Sequence, residues 1–475
     1  MRYLVSLTAT LFLFSTCTLA QSDSIRLDVS TLKGSVVQSR FYQAEFGITY
    51  LTLSNGIKIA LKPIAGEKDN TGDSAIYIKA ESLNQKKQYT RIDNVSARIA
   101  GHLIRNTGVA NLNREQLNQF LKKNNTHFEA TGSSVSQGIN MRTYNRHVEA
   151  ALQLVYTFYT QPLLDSSALR RALDELIRIY QQPQSDVSLN HILSDSLRKV
   201  LYRDDYELTA NDLLRVNPVH AFQLFKERFA NNVDVTFTVV GTYSLDAMIP
   251  LLEKYIGSLP TTKRRYRQKE EDEGSFPNPR LQKVIYLSNL TEAVVDLVFI
   301  GKFRQVDADH TALINAYVNL LKKRLNRQVG RTALANEQFL VAKQSGGLLN
   351  GTRNRNRRTG VHIQIHCSPA RISAVTDLVR TEMSRLFHQP IPEADLAEFK
   401  QITQKNNAIF LNNSYSWNLL LWSSSFRPDW PVKVYNSVAQ RLEYINPGAL
   451  QKIARCYART KDIITLTFLP VPPNK

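Results

Sequence analysis

Between residues 49 and 63 the chain alternates apolar and polar side chains in two short runs, TYLTL and IKIALKP, separated by Ser54-Asn55-Gly56. A period of two puts alternate side chains on opposite faces, so strands are predicted over 49–53 and 57–63. The Asn-Gly pair tolerates positive φ and predicts a hairpin between them. The same alternation predicts strands over 75–80, 126–131, 135–142 and 233–240. Apolar positions at helical spacing predict helices over about 94–107, 114–124, 146–159, 166–181, 188–201, 217–230 and 244–256. A similar mixture follows residue 281, with a long helical stretch over about 371–458.

Two segments share one layout. NPVHAFQLFKERFANNVDVTFTVVG starts at Asn217, and NPGALQKIARCYARTKDIITLTFLP starts at Asn446. Each opens with Asn as a helix cap and Pro at the first helical position. Each ends in a strand carrying Thr-x-Thr, at Thr236 and Thr238 and at Thr465 and Thr467. The two align without a gap at a spacing of 229 residues, so the chain reads as two related α+β domains in tandem. The first closes on a helix capped by Ser244 and ended by Gly257 and Pro260. TTKRRYRQKEEDEGSFPNP then has the composition of a solvated linker. The expected organisation is a signal peptide over 1–20, a first domain over 21–262, a linker over 263–280 and a second domain over 281–475.

The opening MRYLVSLTATLFLFSTCTLAQS has one positive charge at Arg2, an apolar run and small residues before Gln21, which is the pattern of a secretory signal. It is too short to span a membrane comfortably, and no later stretch is long and apolar enough. The expectation is an exported chain that is not transmembrane: periplasmic, secreted or associated with the envelope. Beyond the signal only Cys367 and Cys456 remain, which rules out a disulfide framework and any C-x-x-C metal or redox site. One bridge between them stays open. The net charge of +19 is scattered, with the basic run 263–267 followed at once by acidic residues, so no nucleic-acid partner is expected. Solvated surface is favoured, and an acidic partner or anionic membrane surface comes second.

LSNGIKIALKP, ARIAGHLIRNTG, HVEAALQLVYTFYTQPLLD and ERFANNVDVTFTVVGTYSLDAMIPLLEKYIGSLP occur in an order that resembles the pitrilysin/insulinase family of zinc peptidases. The likeness runs from about residue 46 to 470 and points to the non-catalytic carboxy-terminal half of the long periplasmic bacterial members. It implies two α+β halves closing around a peptide-binding chamber. In an active half an inverted motif, H-x-x-E-H, lies on the first core helix, and a Glu on a later helix is the third zinc ligand. Histidines four apart share a helix face and reach one tetrahedral ion, while the Glu takes a proton from metal-bound water.

With Gly108 closing the first helix, those motif positions fall at Ile99, His102 and Leu103. No H-x-x-E-H or H-E-x-x-H occurs anywhere in the chain. His102 beside Ile99 and Leu103 reads as a hydrogen-bonded core residue, and Glu175 as a helix carboxylate paired with Arg171 or Arg178. His362 and His366 share one strand face with Gln364 between them, but about 13 Å of strand separates them, too far for one ion. The remaining histidines form no ligand spacing. No catalytic residue, no metal ligand and no cofactor of its own is therefore expected on this chain. The family's helper half uses an Arg, and a Tyr about seven residues on, to bind substrate. Arg331 matches the Arg, while Gln338 or Phe339 stands where the Tyr would be.

The leading expectation is a non-catalytic half that pairs with a separate zinc-bearing half as a heterodimer, with peptides as substrates and the zinc on the partner. A stand-alone scaffold binding peptides or an envelope protein, with self-association, ranks second. A metal-dependent peptidase with rewired ligands ranks last.

Overall fold

The computed structural model describes residues 25–29, 32–83, 90–132, 136–181, 189–201, 208–233, 235–262, 276, 278–288, 290–303, 308–329, 338–345, 358–426 and 438–471. The signal segment, residues 263–275 and Arg331 lie outside them.

Two mixed sheets of one design organise these residues. The first contains β1 (Val37–Gln43), β2 (Ile48–Leu53), β3 (Lys58–Pro63), β4 (Ala75–Leu83), β7 (His127–Gly132), β8 (Ser136–Tyr144) and β9 (Thr236–Gly241), in the order β1-β2-β3-β9-β4-β8-β7. A separate small ladder joins β5 (Gly108–Val109) to β6 (Leu112–Asn113). The second sheet contains β10 (Gln282–Leu287), β11 (Ala293–Lys302), β12 (Gln338–Ser345), β13 (Arg358–Cys367) and β14 (Ile463–Pro470), in the order β10-β14-β11-β13-β12. This repeats β3-β9-β4-β8-β7 strand for strand. In each sheet the first of these pairs is parallel (β3 with β9, β10 with β14) and the rest are antiparallel. The fold is α+β, and the tandem repeat is present in its topology.

The helices are α1 (Arg91–Arg105), α2 (Arg114–Lys123), α3 (Val148–Thr160), α4 (Ser166–Gln181), α5 (Leu189–Leu201), α6 (Ala210–Leu214), α7 (Pro218–Phe229) and α8 (Leu245–Tyr255). In the second half they are α9 (Ala308–Val329), α10 (Ile372–His388), α11 (Glu393–Leu411), α12 (Ser414–Phe426), α13 (Val438–Tyr444) and α14 (Pro447–Ala458). Among the described residues, the stretch expected as one long helical region contains five helices. Asn217 accepts from the N–H groups of Val219 and His220, and Asn446 from that of Ala449, so both Asn-Pro starts cap as their chemistry dictates. α1 begins three residues before its expected start, because Thr90 and Asp93 close a reciprocal capping box.

One face of each sheet carries its own helices. Ile59, Leu61, Ile76, Ile78, Phe237 and Val239 pack under α1, α3, α4, α7 and α8. Val295, Leu297, Phe299, Ile363 and Ile365 pack under α9, α10 and α14. The opposite faces are covered by exchange. Leu193, Leu197 and Leu201 of α5 lie on Val294, Val298, Ile464, Leu466 and Phe468 of the second sheet. Trp417, Leu420 and Leu421 of α12 lie on Phe46, Ile48, Ala60 and Val240 of the first.

That exchange corrects the gapless alignment of the repeat. Phe237 and Val239 face the first sheet's own helices, and Thr238 faces α12. In β14 it is Ile464, Leu466 and Phe468 that face the exchanged helix, so Thr465 and Thr467 point the other way. The 229-residue spacing holds for α7 and α14 and slips by an odd number of residues in the strand that follows. A one-residue slip turns every strand side chain over, which a match of letters cannot detect. Phe276, at the end of the expected linker, is buried beside α5 rather than solvated. Cys367 and Cys456 are not joined by a disulfide.

Candidate functional site

α1 crosses the first sheet close to its edge strand β7. Gly101 permits this approach, since a Cβ there would lie 2.7 Å from that of Ala130. Three residues past the helix, Gly108 turns the chain at φ +128°, and a Cβ would meet Leu112 O at 2.1 Å. On α1, Val95, Ile99, Ala100, Leu103 and Ile104 are buried in the core.

His102 is not a core residue, contrary to the expectation. Ile99 and Leu103 turn inward, and the ring one step round the helix is exposed, with Nε2 3.2 Å from the Asn106 side-chain amide. Although its edge reaches solvent, the crowding around it desolvates the ring and lowers its pKa. The Glu175 charge opposes that shift, and Arg114 and Arg105 reinforce it.

Glu175 of α4 does come to this face of α1, but its partner differs from the expected one. Arg114, at the start of α2, grips the carboxylate with both arms of its guanidinium, at 2.7 and 3.3 Å. This hydrogen bond, with the charge behind it, holds Glu175 below its usual pKa. Of the two expected partners, Arg171 bonds to Ser167 Oγ and Arg178 to the Asp174 carbonyl. A planar fork aligned with a carboxylate from another helix outcompetes single contacts along one helix. Arg105, which donates to Asn118 Oδ1 at 2.9 Å, completes the cluster. Sequence reasoning missed Arg114 and Arg105, and only the tertiary fold brings them here.

The arrangement does not fit a zinc ion. Ile99 and Leu103 offer no ligand atoms and lie 3% and 0% exposed, and the one carboxylate already carries a guanidinium. Among the described residues no group of three or more His, Cys, Asp or Glu side chains is placed to hold a metal. His362 and His366 do share a face of β13 with Gln364 between them, as expected. Gln364 contacts His366 Nε2 at 3.4 Å and donates to Asp296 Oδ1, which also lies 2.8 Å from His362 Nε2. Arg331 lies outside the described residues. Gln338 and Phe339 open β12 opposite His366 and Ile365. No helix among the described residues is long and apolar enough to cross a membrane.

The structure is thus a tandem pair of α+β units whose first core helix carries, among the described residues, no cluster able to hold a metal. Residues 220–403 match the family described as the peptidase M16 inactive domain. Over 217 residues, 45% of this chain and 22% of the relative, the sequence is 21% identical to "Probable zinc protease PqqL" of Escherichia coli strain K12. The crystal structure of the periplasmic protease PqqL from Escherichia coli superposes with a TM-score of 0.76 at 18% identity, covering 98% of this chain and 49% of that one. The structure of the first half of the same protease superposes at 0.69 and 14% identity, covering 91% and 93%. The chain spans about half of the solved full-length protease, and its matches cover under a third of the curated relatives. Its fold is that of the M16, or pitrilysin/insulinase-type, peptidase structures, and residues 220–403 are similar to that family's inactive domain.

Proposed function

We propose that this chain is the non-catalytic half of an exported zinc metallopeptidase, pairing with a zinc-bearing half to enclose peptides. The observation that carries the reading is the face of α1. Two of the three motif positions are buried aliphatic residues, and the carboxylate that would complete a metal site is clasped by Arg114. The fold is retained around it, which suits a wall of a chamber better than a centre of chemistry. β7, the edge strand against α1, has backbone groups to which an extended peptide can add as a further strand. In this reading hydrolysis occurs on the partner. This chain orients the peptide, which positions its scissile bond, and Arg331 contributes a charge-assisted bond to the substrate.

The test is zinc content and peptide hydrolysis on the purified chain, alone and after mixing with a candidate zinc-bearing half. The expected result is no zinc and no cleavage alone, with cleavage by the mixture exceeding that of the zinc-bearing half by itself. Stoichiometric zinc with chelator-sensitive activity in the lone chain would sink the proposal. Stable self-association, with no stimulation of any zinc-bearing half, would transfer support to a stand-alone peptide-binding scaffold.

A further inference from the structure

Between α9 and α11 lies an open groove of about 340 Å³. That volume is within the range of about 300–1,000 Å³ usual for a ligand cleft. Asn315, Asn319 and Lys322 line the groove from α9, and Asn406 lines it from α11. Phe399 and Ile402, also on α11, supply its apolar surface. The helix pair is the second unit's counterpart of α1 and α4. α9 follows β11 as α1 follows β4, and α11 is the second α-helix after β13 as α4 is after β8.

The two pairs differ in charge. In the first unit the Glu175 carboxylate of α4 is clasped by Arg114. In the second, Lys323 holds both Asp395 and Glu398, and Arg327 reaches Asp395 at 3.2 Å. No carboxylate lines the groove itself, so Lys322 meets none there. Among the described residues the side chains of Asn315, Asn319, Asn406 and Lys322 have no hydrogen-bond or ion-pair partner.

Asparagine is a poor helix former, so three of them at exposed helix positions do not serve helix stability. Their spacing suits another use. Asn315 and Asn319 are one turn apart, about 6 Å along the helix axis. Every second residue of an extended peptide recurs at about 6.6 Å. A carboxamide carries both donor and acceptor, so it can meet the C=O and the N–H of a peptide backbone at once. Two carboxamides at this spacing match alternate residues of one extended chain, and Asn406 meets that chain from the other wall. Lys322 continues the row three residues beyond Asn319, on the same helix face. Its ammonium suits a carboxylate at the end of the chain.

We propose that the α9–α11 groove binds the carboxylate-bearing end of an extended peptide, with the asparagine carboxamides pairing its backbone and Lys322 its carboxylate. The site belongs to this chain alone, so its failure would leave the reading as a peptidase half untouched.

The experiment is calorimetric titration of the full chain with synthetic peptides: acetyl-Ala-Ala-Ala-Leu with a free carboxylate, the same peptide amidated, and amidated acetyl-Ala-Ala-Ala-Glu. The free acid is expected to bind about ten-fold more tightly than its amide, the usual gain from a hydrogen bond to a charged group. Lys322→Gln should abolish that preference and leave the affinity for the amide as it was. Asn315→Ala with Asn319→Ala should weaken acid and amide alike, by about five-fold. Alanine is the better helix former, so the double variant keeps α9, and an unchanged melting temperature verifies this. Lys405→Gln, exposed on α11 outside the groove, should change nothing. Tight binding of the free acid alone identifies a C-terminal carboxylate, and equal binding of the glutamate peptide extends the site to side-chain carboxylates. Equal affinity for acid and amide, a preference that survives in the Lys322 variant, equal loss in the Lys405 variant, or no binding of any peptide overturns the proposal.

Discussion

Five strands of the first sheet repeat the order of the second, and the contacts of their exchanged helices differ among the described residues. The second sheet meets α5 through aliphatic contacts, with leucines on valine, isoleucine and phenylalanine. The first meets α12 through directed polar contacts set among apolar ones. Asn418 donates to the Tyr77 carbonyl and to both the carbonyl and the hydroxyl of Thr238. The Lys62 ammonium lies 4.0 Å from the centre of the Trp417 ring and donates to the Phe46 carbonyl, and its burial pushes its pKa down. Backbone pairing sets strand order, while side chains decide how firmly an exchanged helix is fixed in rotation and register. Leucines tolerate sliding; an amide that must meet three oxygens does not.

The comparison breaks most severely at Trp417. Trp417→Ala removes a nearly buried indole from the first sheet's cover and is expected to cost about 3–5 kcal/mol in urea unfolding. Leu193→Ala, its counterpart on α5, should cost about 2–5 kcal/mol, depending on how far the site collapses. If the Leu193 variant proved neutral, the contact of α5 with the second sheet would be in error. Asn418→Leu removes the bonds to the Tyr77 and Thr238 carbonyls and to the Thr238 hydroxyl and should cost about 1–3 kcal/mol. A leucine that stabilised the protein instead would show that the amide has no orienting role.

Smaller effects are expected at the outer face of α1. Arg114→Ala removes a half-exposed ion pair and should change stability by about 0–1 kcal/mol. It should, however, raise the Glu175 pKa toward the ordinary carboxylate value, read by carboxyl chemical shifts during an acid titration. Glu175, Asp93 and Asp462 are all held below their usual values, first by hydrogen bonds from Arg114, His220 and Lys302 respectively. Their stabilisation is complete above the unfolded carboxylate range near pH 4 and is lost as pH falls through the folded values. The melting temperature should therefore fall below about pH 4, and less steeply in the Arg114 variant.

Much of this architecture was legible in the sequence because it rests on local rules. The Asn55-Gly56 hairpin, the two Asn-Pro caps and the alternating strands follow from neighbours in the chain. β1 was missed because its residues are almost all exposed, so it carries no alternation to read. The exchange of α5 and α12 was illegible for another reason: an apolar helix face does not say which sheet it will cover. At the α1 face the aliphatic residues at the expected motif positions, Ile99 and Leu103, could be read directly. The Arg114–Glu175 clasp could not, since 61 residues separate the partners and two closer arginines competed for the assignment.

The exchanged helix also sets a timetable. When Gly241 completes the first sheet during synthesis, the outer face formed by Phe46, Ile48, Ala60 and Val240 has no cover until Trp417 is made. At about 5–20 residues per second that is on the order of ten to thirty seconds of waiting with a bare apolar surface. A chain cut short anywhere before α12 would keep that surface for good.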